Sequence, residues 1–221
     1  MPALVQESVT ITIHVGHDIG GDLHVPDGAT GLVVFAHGSG SSRFSSRNRA
    51  VAASLHARGL GTLLLDLLTE QEAQVDAESP SYRFDVPRLG SRIVVATDWI
   101  QRQARLHTLP IGCYGASSGA AAALIAAAER WTVVGAVVSR GGRPELADAA
   151  LPRVQAPTLL VVGGNDPIAL RQNERAMYRM TQTHVELEVV PGATHLFEES
   201  GALDRVGQLA GDWFARYLRR S

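Results

Sequence analysis

Residues 114–119 read Y-G-A-S-S-G, a G-x-S-x-G pattern centred on Ser117. The pattern follows a short apolar run, residues 109–114, and opens an alanine-rich helical run over residues 120–128. A strand, a sharp turn and a helix form the context in which this motif exposes a serine hydroxyl. Small residues are needed at Gly115 and Gly119, because strand and helix pass very close at such a turn. The first N–H groups of the helix also favour negative charge beside Ser117.

Apolar segments and helical patterns alternate along the rest of the chain. Predicted strands cover residues 9–15, 23–25, 32–36, 61–66, 109–114, 133–138, 158–162 and 185–190. Predicted helices cover about 46–58, 88–105, 120–128, 145–151, 169–180 and 203–219. Residues 67–87 are polar and acidic and are predicted to form a long surface loop. The first two strands alternate in polarity, which predicts an antiparallel hairpin at a sheet edge. The whole pattern predicts an α/β fold in one domain, residues 1–221, with helices on both faces of a mostly parallel sheet of about eight strands.

The composition is that of an ordinary globular protein. Of the 221 residues, 45% are hydrophobic and 19% are charged, and the net charge of −2 suggests neither a nucleic-acid partner nor a membrane surface. A single cysteine excludes an intramolecular disulfide and argues against a cysteine-based zinc site, so no metal is expected. Residues 1–8 lack a signal-peptide pattern, and no apolar run could span a bilayer. We therefore expect a cytoplasmic protein.

Three residues that can form a catalytic triad each follow a predicted strand, in the order Ser117, Asp166, His195. Ligands bind beyond the carboxyl ends of strands in such sheets. A serine hydroxyl needs a base within hydrogen-bond reach, and the base needs an orienting acid. Each residue alone has a plainer explanation, since the chain has 8 histidines and an aspartate before proline often caps a helix. Their joint occurrence at strand ends favours catalysis.

The oxyanion of an acyl-transfer reaction needs preorganised hydrogen-bond donors. One expected donor is the backbone N–H of Ser118, the residue after the candidate nucleophile. The other is expected from the glycine- and serine-rich loop at residues 37–42, here called the oxyanion loop, and Ser39 is the best candidate. We expect His37 to shape this loop rather than to transfer protons. Cys113 lies within the preceding strand and is expected in the core.

Four segments together resemble a known family. They are H-G-S-G at 37–40, G-A-S-S-G at 115–119, G-G-N-D at 163–166 and G-A-T-H-L-F at 192–197. The chain is similar, over nearly its whole length, to serine α/β-hydrolases of the dienelactone-hydrolase-like group. The resemblance implies the α/β-hydrolase fold and hydrolysis of a small-molecule ester or lactone without a cofactor. Dienelactone hydrolases proper use a cysteine nucleophile, so Ser117 favours a general carboxylesterase-like activity.

Two alternatives to ester hydrolysis stay open. One is thioester or amide hydrolysis by the same three residues, and the other is a noncatalytic binding module that keeps the fold. Many hydrolases of this fold carry a cap inserted where this chain has only residues 140–156. That length allows one short helix, which predicts no cap domain, an open mouth and short, soluble substrates.

Two arginines are candidates for substrate binding. Arg43 follows the oxyanion loop and Arg140 follows the strand after the candidate nucleophile. At the mouth of the site, either guanidinium could clamp a substrate carboxylate through two hydrogen bonds. The alternative, which we favour, is that they pair with acids such as Asp66 or Glu70 and brace the loops.

Overall fold

The structure, a computed structural model, describes residues 5–218, and within them eight strands form one sheet. The strands are β1 (Val5–His14), β2 (His17–Val25), β3 (Gly31–Ala36), β4 (Leu60–Leu65), β5 (Ile111–Ala116), β6 (Val134–Arg140), β7 (Thr158–Gly163) and β8 (Val185–Val190). The helices are α1 (Ser46–His56), α2 (Glu70–Glu78), α3 (Val86–Arg102), α4 (Ser118–Glu129), α5 (Pro167–Arg179) and α6 (Ala202–Tyr217). Short 3₁₀ helices lie at Tyr82–Phe84, Pro144–Ala147 and Leu151–Arg153.

The strand order is β1-β2-β4-β3-β5-β6-β7-β8. β1 pairs antiparallel with β2, and β2 pairs antiparallel with β4, while every later pairing is parallel. This order confirms the predicted edge hairpin and the mostly parallel sheet. The continuous apolar runs of β3, β4 and β7 are buried throughout, as expected for strands that are covered on both faces.

The hydrophobic core lies in two layers, one on each face of the sheet. On one face, α3 and α4 pack with apolar residues of β3, β4 and β5, and on the other face α1 and α6 do so. Ten of the twelve residues of α4 are buried. Its alanine-rich surface allows this close packing, because small side chains let a helix lie near the strands. The core therefore holds α4, and with it the turn at Ser117, rigidly against the sheet.

Residues 67–87, predicted as a long surface loop, are instead largely helical. They contain α2 and the 3₁₀ helix Tyr82–Phe84. A capping box starts α2, because the Thr69 side chain accepts from the Glu72 N–H while the Glu72 side chain accepts from the Thr69 N–H. The segment is polar on most sides and has no apolar period, so hydrophobic patterning missed a helix that local capping stabilises.

One more prediction differs from the structure, and another falls outside the described residues. The predicted short helix at 145–151 is replaced by two 3₁₀ helices, each with a proline in its first turn. These 3₁₀ helices pack on α4, and no cap domain is inserted between β6 and β7. The predicted end of the last helix at residue 219 lies outside the described residues.

The parallel strands place several loops at one edge of the sheet. β3, β5, β6, β7 and β8 all end there, and the segments after them carry the candidate functional residues. The carboxyl edge of the sheet is therefore where the functional site has to be sought.

Among residues 5–218, no helix has the length and apolarity needed to cross a bilayer.

Candidate functional site

Ser117 occupies a strained turn between β5 and α4. Its backbone has φ 52° and ψ −121°, a region that residues with a side chain rarely adopt. Two hydrogen bonds hold it there: the Ser117 N–H donates to the Arg140 carbonyl over 3.1 Å, and the Ser117 carbonyl accepts from the Arg143 N–H over 3.1 Å. Strain at one residue, held by neighbouring backbone, is typical of functional turns.

The glycines on either side of Ser117 let the backbones pass in contact. A Cβ at Gly115 would overlap the backbone of Gly119 and Ala120 in α4. A Cβ at Gly119 would overlap the carbonyl groups at the end of β3, in Ala36 and His37. Both glycines are therefore required by sterics, as the motif predicts.

Asp166 and His195 lie beside Ser117 in a hydrogen-bonded line. His195 Nδ1 is 2.7 Å from Asp166 Oδ2, and His195 Nε2 is 3.3 Å from Ser117 Oγ. A carboxylate only accepts, so Nδ1 carries the proton and Nε2 presents its lone pair to the serine hydroxyl. Asp166 also caps α5, since its Oδ1 accepts from the Ala169 N–H over 3.0 Å. Asp166 thus caps the helix through Oδ1 and bonds His195 through Oδ2.

The loop that carries His195 is fixed on both sides. Before it, the Asn165 N–H donates to the Ala193 carbonyl over 2.8 Å and the Asn165 side-chain amide donates to the Gly192 carbonyl over 2.9 Å. After it, Phe197 has a positive φ of 57° and is only 1% exposed. Anchoring the imidazole loop on both sides limits the movement of the ring, which is what a catalytic base requires.

Ser39 and Ser118, the two candidate oxyanion donors, are in direct contact. The Ser39 N–H donates to Ser118 Oγ over 3.0 Å, and the two hydroxyl oxygens are 2.8 Å apart. Ser118 begins α4, where the first N–H groups have no acceptor within the helix. The structure therefore brings both candidate donors to the Ser117 turn.

His37 is buried and both of its ring nitrogens are engaged. Nδ1 donates to the Gly38 carbonyl over 2.9 Å, and Nε2 accepts from the Leu67 N–H over 3.2 Å. Burial lowers the pKa of the His37 imidazole, although the bond to Gly38 and the charge of Asp66 act in the opposite direction. A neutral ring held in this way shapes the loop, which is the role that the sequence predicts.

Cys113 is not available as a nucleophile. It is fully buried within β5, as predicted. Burial raises the pKa of the Cys113 thiol to about 12, so the reactive thiolate is disfavoured. The thiol chemistry used by dienelactone hydrolases proper has no reactive cysteine in the described part of this chain.

The first candidate substrate clamp, Arg43, is occupied by acids. Its side chain pairs with Asp66 and lies 3.3 Å from Asp22, while its backbone N–H donates to Asp66 Oδ1 over 2.9 Å. The guanidinium also lies over the Phe44 ring. These contacts favour the alternative in which Arg43 braces the loop after β3.

The second candidate clamp, Arg140, lies inside the protein and is 4% exposed. Its guanidinium is 3.4 Å from the Tyr114 hydroxyl, 3.5 Å from Asn48 Oδ1 and 5.7 Å from the centre of the Phe197 ring. These groups connect β5, α1 and the segment after His195. Burial beneath the site and these contacts favour a structural role over a contact with substrate.

Replacing Arg140 with alanine should therefore lower the turnover of neutral and carboxylate-bearing esters by the same factor. The change removes packing against Phe197, so we expect the activity to fall along with the stability. Hydrolysis of a neutral acetate ester and of an ester with a free carboxylate would be compared at equal folded concentration. A selective loss on the charged ester would restore Arg140 as a substrate clamp.

A cavity of about 580 Å³, here called the side cavity, is lined in part by the oxyanion loop. Its lining combines Ser39 and Arg83 with the apolar side chains of Ile19, Leu68 and Leu89. The residues that line the side cavity include the oxyanion loop but not the Ser117 turn. It therefore offers room beside the candidate donors rather than at Ser117 itself.

Sequence reasoning missed the partners that hold the oxyanion loop. Ser39 Oγ donates to the Arg83 carbonyl over 3.0 Å, and Arg83 in turn pairs with the buried Asp76. The only local signal in this segment is the capping box at Thr69 and Glu72, which predicts the start of α2 but not its partners.

Within residues 5–218, no cluster of three or more histidine, cysteine or carboxylate side chains is arranged to hold a metal ion.

Comparison with known proteins gives a family and several structural relatives. A model of the dienelactone hydrolase family matches residues 19–215. The crystal structure of a dienelactone hydrolase from Anabaena variabilis is 51% identical, covers 98% of this chain and 99% of its own, and superposes with a TM-score of 0.95. Est1E from Butyrivibrio proteoclasticus is 16% identical, with a TM-score of 0.77 over 95% of this chain and 98% of its own, and shows the fold alone.

Two proteins from Mycobacterium tuberculosis, strains CDC 1551 and H37Rv, are 52% identical over 200 residues. Both carry a provisional name as phosphoribosyl transferases. The match covers 90% of this chain but only 44% of each relative, so this chain spans less than half of their length. The family model spans residues 19–215 of this chain, and the Anabaena structure is matched over 99% of its own length. The chain belongs to the dienelactone hydrolase family.

Proposed function

We propose that this chain is a serine hydrolase that cleaves carboxylic esters or lactones of small soluble substrates through an acyl-enzyme on Ser117. The observation that carries the proposal is the line from Asp166 through His195 to Ser117 Oγ, with distances of 2.7 and 3.3 Å. The strained turn at Ser117 and the adjacent backbone donors support the same reading. Membership of a hydrolase family agrees with it.

The reaction follows from the roles of these groups. His195 Nε2 takes the hydroxyl proton as Ser117 Oγ attacks the substrate carbonyl carbon. Asp166 stabilises the imidazolium that forms, and the N–H groups of Ser39 and Ser118 hold the oxyanion. Collapse of the tetrahedral intermediate breaks the bond to the alcohol oxygen, which receives the proton from His195. Water then gives a proton to His195 and attacks the carbonyl carbon of the acyl-enzyme. Collapse of this second tetrahedral intermediate breaks the bond to Ser117 Oγ, which takes the proton from His195, and the acid is released.

Two features support small substrates. The segment between β6 and β7 forms two short 3₁₀ helices that pack on α4, and no cap domain covers the site. The side cavity, at about 580 Å³, offers room beside Ser39 for a part of a small substrate away from the reacting carbonyl. An uncovered site has no apolar enclosure for a long acyl chain, so short esters should be turned over best and a lipid surface should not activate the enzyme.

The transferase name of the Mycobacterium tuberculosis relatives belongs to proteins more than twice as long as the matched region. More than half of each relative lies outside the match, since 44% of its length is covered. In this chain, the dienelactone hydrolase model matches residues 19–215. Thioester and amide cleavage would use the same groups, so only an assay can distinguish which class of acyl substrate the protein cleaves.

A fluorophosphonate probe should label the purified protein once, at Ser117. Attack by Ser117 Oγ forms an oxygen–phosphorus bond and displaces fluoride, and His195 takes the serine proton. Peptide mass spectrometry locates the label, and a panel of p-nitrophenyl esters, lactones and thioesters then ranks the acyl substrates. Folded protein that neither reacts with the probe nor hydrolyses any substrate of the panel would exclude hydrolysis and favour a binding module.

A further inference from the structure

The oxyanion loop is tied to the Ser117 turn by a chain of hydroxyl groups whose direction can be deduced. Ser39 Oγ is 3.0 Å from the Arg83 carbonyl and 2.8 Å from Ser118 Oγ. A carbonyl only accepts, so the Ser39 hydroxyl donates its proton to Arg83. Ser118 must then donate to Ser39 Oγ, while Ser118 Oγ accepts from the Ser39 N–H over 3.0 Å. The hydrogen bonds therefore run in one direction: Ser118 donates to Ser39, and Ser39 donates to Arg83 in the Tyr82–Phe84 segment.

The far end of this chain is held by a buried carboxylate. Asp76, only 2% exposed, accepts from the backbone N–H of Ser81 over 2.9 Å and of Arg83 over 3.1 Å. The Arg83 side chain pairs with the Asp76 carboxylate and also donates to its backbone carbonyl over 2.7 Å. Burial alone would raise the pKa of Asp76, but the hydrogen bonds from Arg83 and Ser81 outweigh it and lower that pKa. The Arg83 carbonyl therefore sits on a rigid support.

We infer that the Ser39 hydroxyl is a positioning group, which uses the Arg83 carbonyl and the Ser118 hydroxyl to hold the Ser39 N–H at the oxyanion. The inference rests on the proposed function and adds residues 76–83 to the machinery of the site. The Ser39 side chain itself does not touch the reacting atoms. Its backbone N–H, which donates to Ser118 Oγ before substrate binds, is the group that would meet the oxyanion, and the hydroxyl keeps that N–H at the Ser117 turn.

His37 and Arg43 hold the loop at its two ends, and the Ser39 hydroxyl holds it at the donor between them. Ser39 is exposed and lies between Gly38 and Gly40, and Gly40 has a φ of 71°. Glycine restricts the backbone less than any other residue, so this stretch would otherwise sample several orientations. An oxyanion donor stabilises the transition state only when its orientation is set before the reaction. When the substrate oxygen takes the Ser39 N–H, the hydroxyl pair can still hold the loop at the turn.

Replacing Ser39 with alanine tests the role, because the backbone donor stays while the hydroxyl is lost. We expect kcat to fall by about 10-fold, with KM changed by less than about 2-fold, since a misdirected donor costs less than a missing one. Ser39→Thr keeps the hydroxyl at an exposed position and should restore most of the rate. The affinity of a boronic acid, whose oxygen occupies the oxyanion position once boron bonds Ser117 Oγ, should fall by the same factor as kcat/KM.

A double-mutant cycle with Ser118→Ala shows whether the two hydroxyls act as one unit. Each single alanine variant breaks the hydroxyl pair, so the double variant should lose about as much rate as either single variant. Ser91→Ala, an exposed hydroxyl on α3, is the matched control and should behave as wild type. Additive losses in the cycle would mean that the two hydroxyls act separately and would overturn the inference.

Fluorophosphonate labelling of the wild-type protein separates this inference from the proposed function. Wild-type protein that is folded but neither labelled nor active overturns both. If wild type is active and Ser39→Ala keeps its kcat and its boronic acid affinity, the positioning role alone is wrong. A loss in Ser39→Ala that Ser39→Thr does not restore, or one that leaves boronic acid affinity unchanged, also overturns the positioning role.

Discussion

Replacing Ser117 with alanine should lower ester turnover by about 10³-fold or more, because the groups of a nucleophile–base pair act as a unit. His195→Ala should cause a loss of the same size, and the double variant should lose little more. Asp166→Asn should cost somewhat less, since the acid orients the imidazole without bonding to the substrate. Steady-state kinetics on a short p-nitrophenyl ester measures all four variants.

Matched controls separate loss of chemistry from loss of fold. Ser91→Ala removes an exposed hydroxyl on α3, and His107→Ala removes an exposed imidazole on the loop before β5. Both should keep wild-type turnover. If folded Ser117→Ala retained most of its activity and its reaction with the fluorophosphonate probe, the nucleophile assignment would be wrong. Circular dichroism of each variant shows whether it is folded.

The largest expected effect on stability comes from Gly119→Ala. The new Cβ would overlap the carbonyl groups of Ala36 and His37, which belong to backbone and cannot rotate away. Either β3 or α4 must shift, and we expect the free energy of unfolding to fall by about 3 kcal/mol. For a chain of this size that corresponds to a melting temperature lower by roughly 6–12 °C. Labelling at Ser117 should fall with it, because the shift moves the turn.

Gly135→Ala provides the control for this change. Gly135 is exposed on β6, and the atom nearest to a Cβ there is the end of the Leu218 side chain at 3.3 Å. This contact is with a side chain rather than with backbone and is 0.9 Å longer than the 2.4 Å contacts at Gly119, so the free energy of unfolding should fall by no more than about 1 kcal/mol. Thermal melts of both variants under the same conditions make the comparison. Equal melting temperatures for Gly119→Ala and wild type would show that the close approach at the turn is not required.

The sequence predicts the parts of this protein that depend on neighbouring residues. The G-x-S-x-G pattern predicts the turn at Ser117, since the strand, the glycines and the alanine-rich helix are all local features. Alternating and continuous apolar runs predict the edge hairpin and the buried strands, and both are confirmed. The order of Ser117, Asp166 and His195 predicts that they share one edge of the sheet, because parallel strands all end there.

The expectation of a surface loop at residues 67–87 was wrong for a physical reason. Hydrophobic periodicity detects helices that bury one face, and α2 buries only Asp76 among its nine residues. Its stability comes from the capping box and from Arg83, which pairs with that buried carboxylate. The pairing is visible only once the segment has turned back on itself, so a reading of apolar residues along the chain could not find it.

The sequence predicts the eight strands, five of the six α-helices, the serine turn and the loops that carry Ser117, Asp166 and His195. Tertiary structure alone decided which side chains meet: the Ser39 hydroxyl with Arg83, Arg43 with Asp66, and Arg140 with the interior. The partners of His195 are 29 and 78 residues away along the chain, yet they lie within 3.3 Å of its ring nitrogens. Contacts at that precision depend on how every strand and helix packs, whereas the elements themselves depend on residues only a few positions apart.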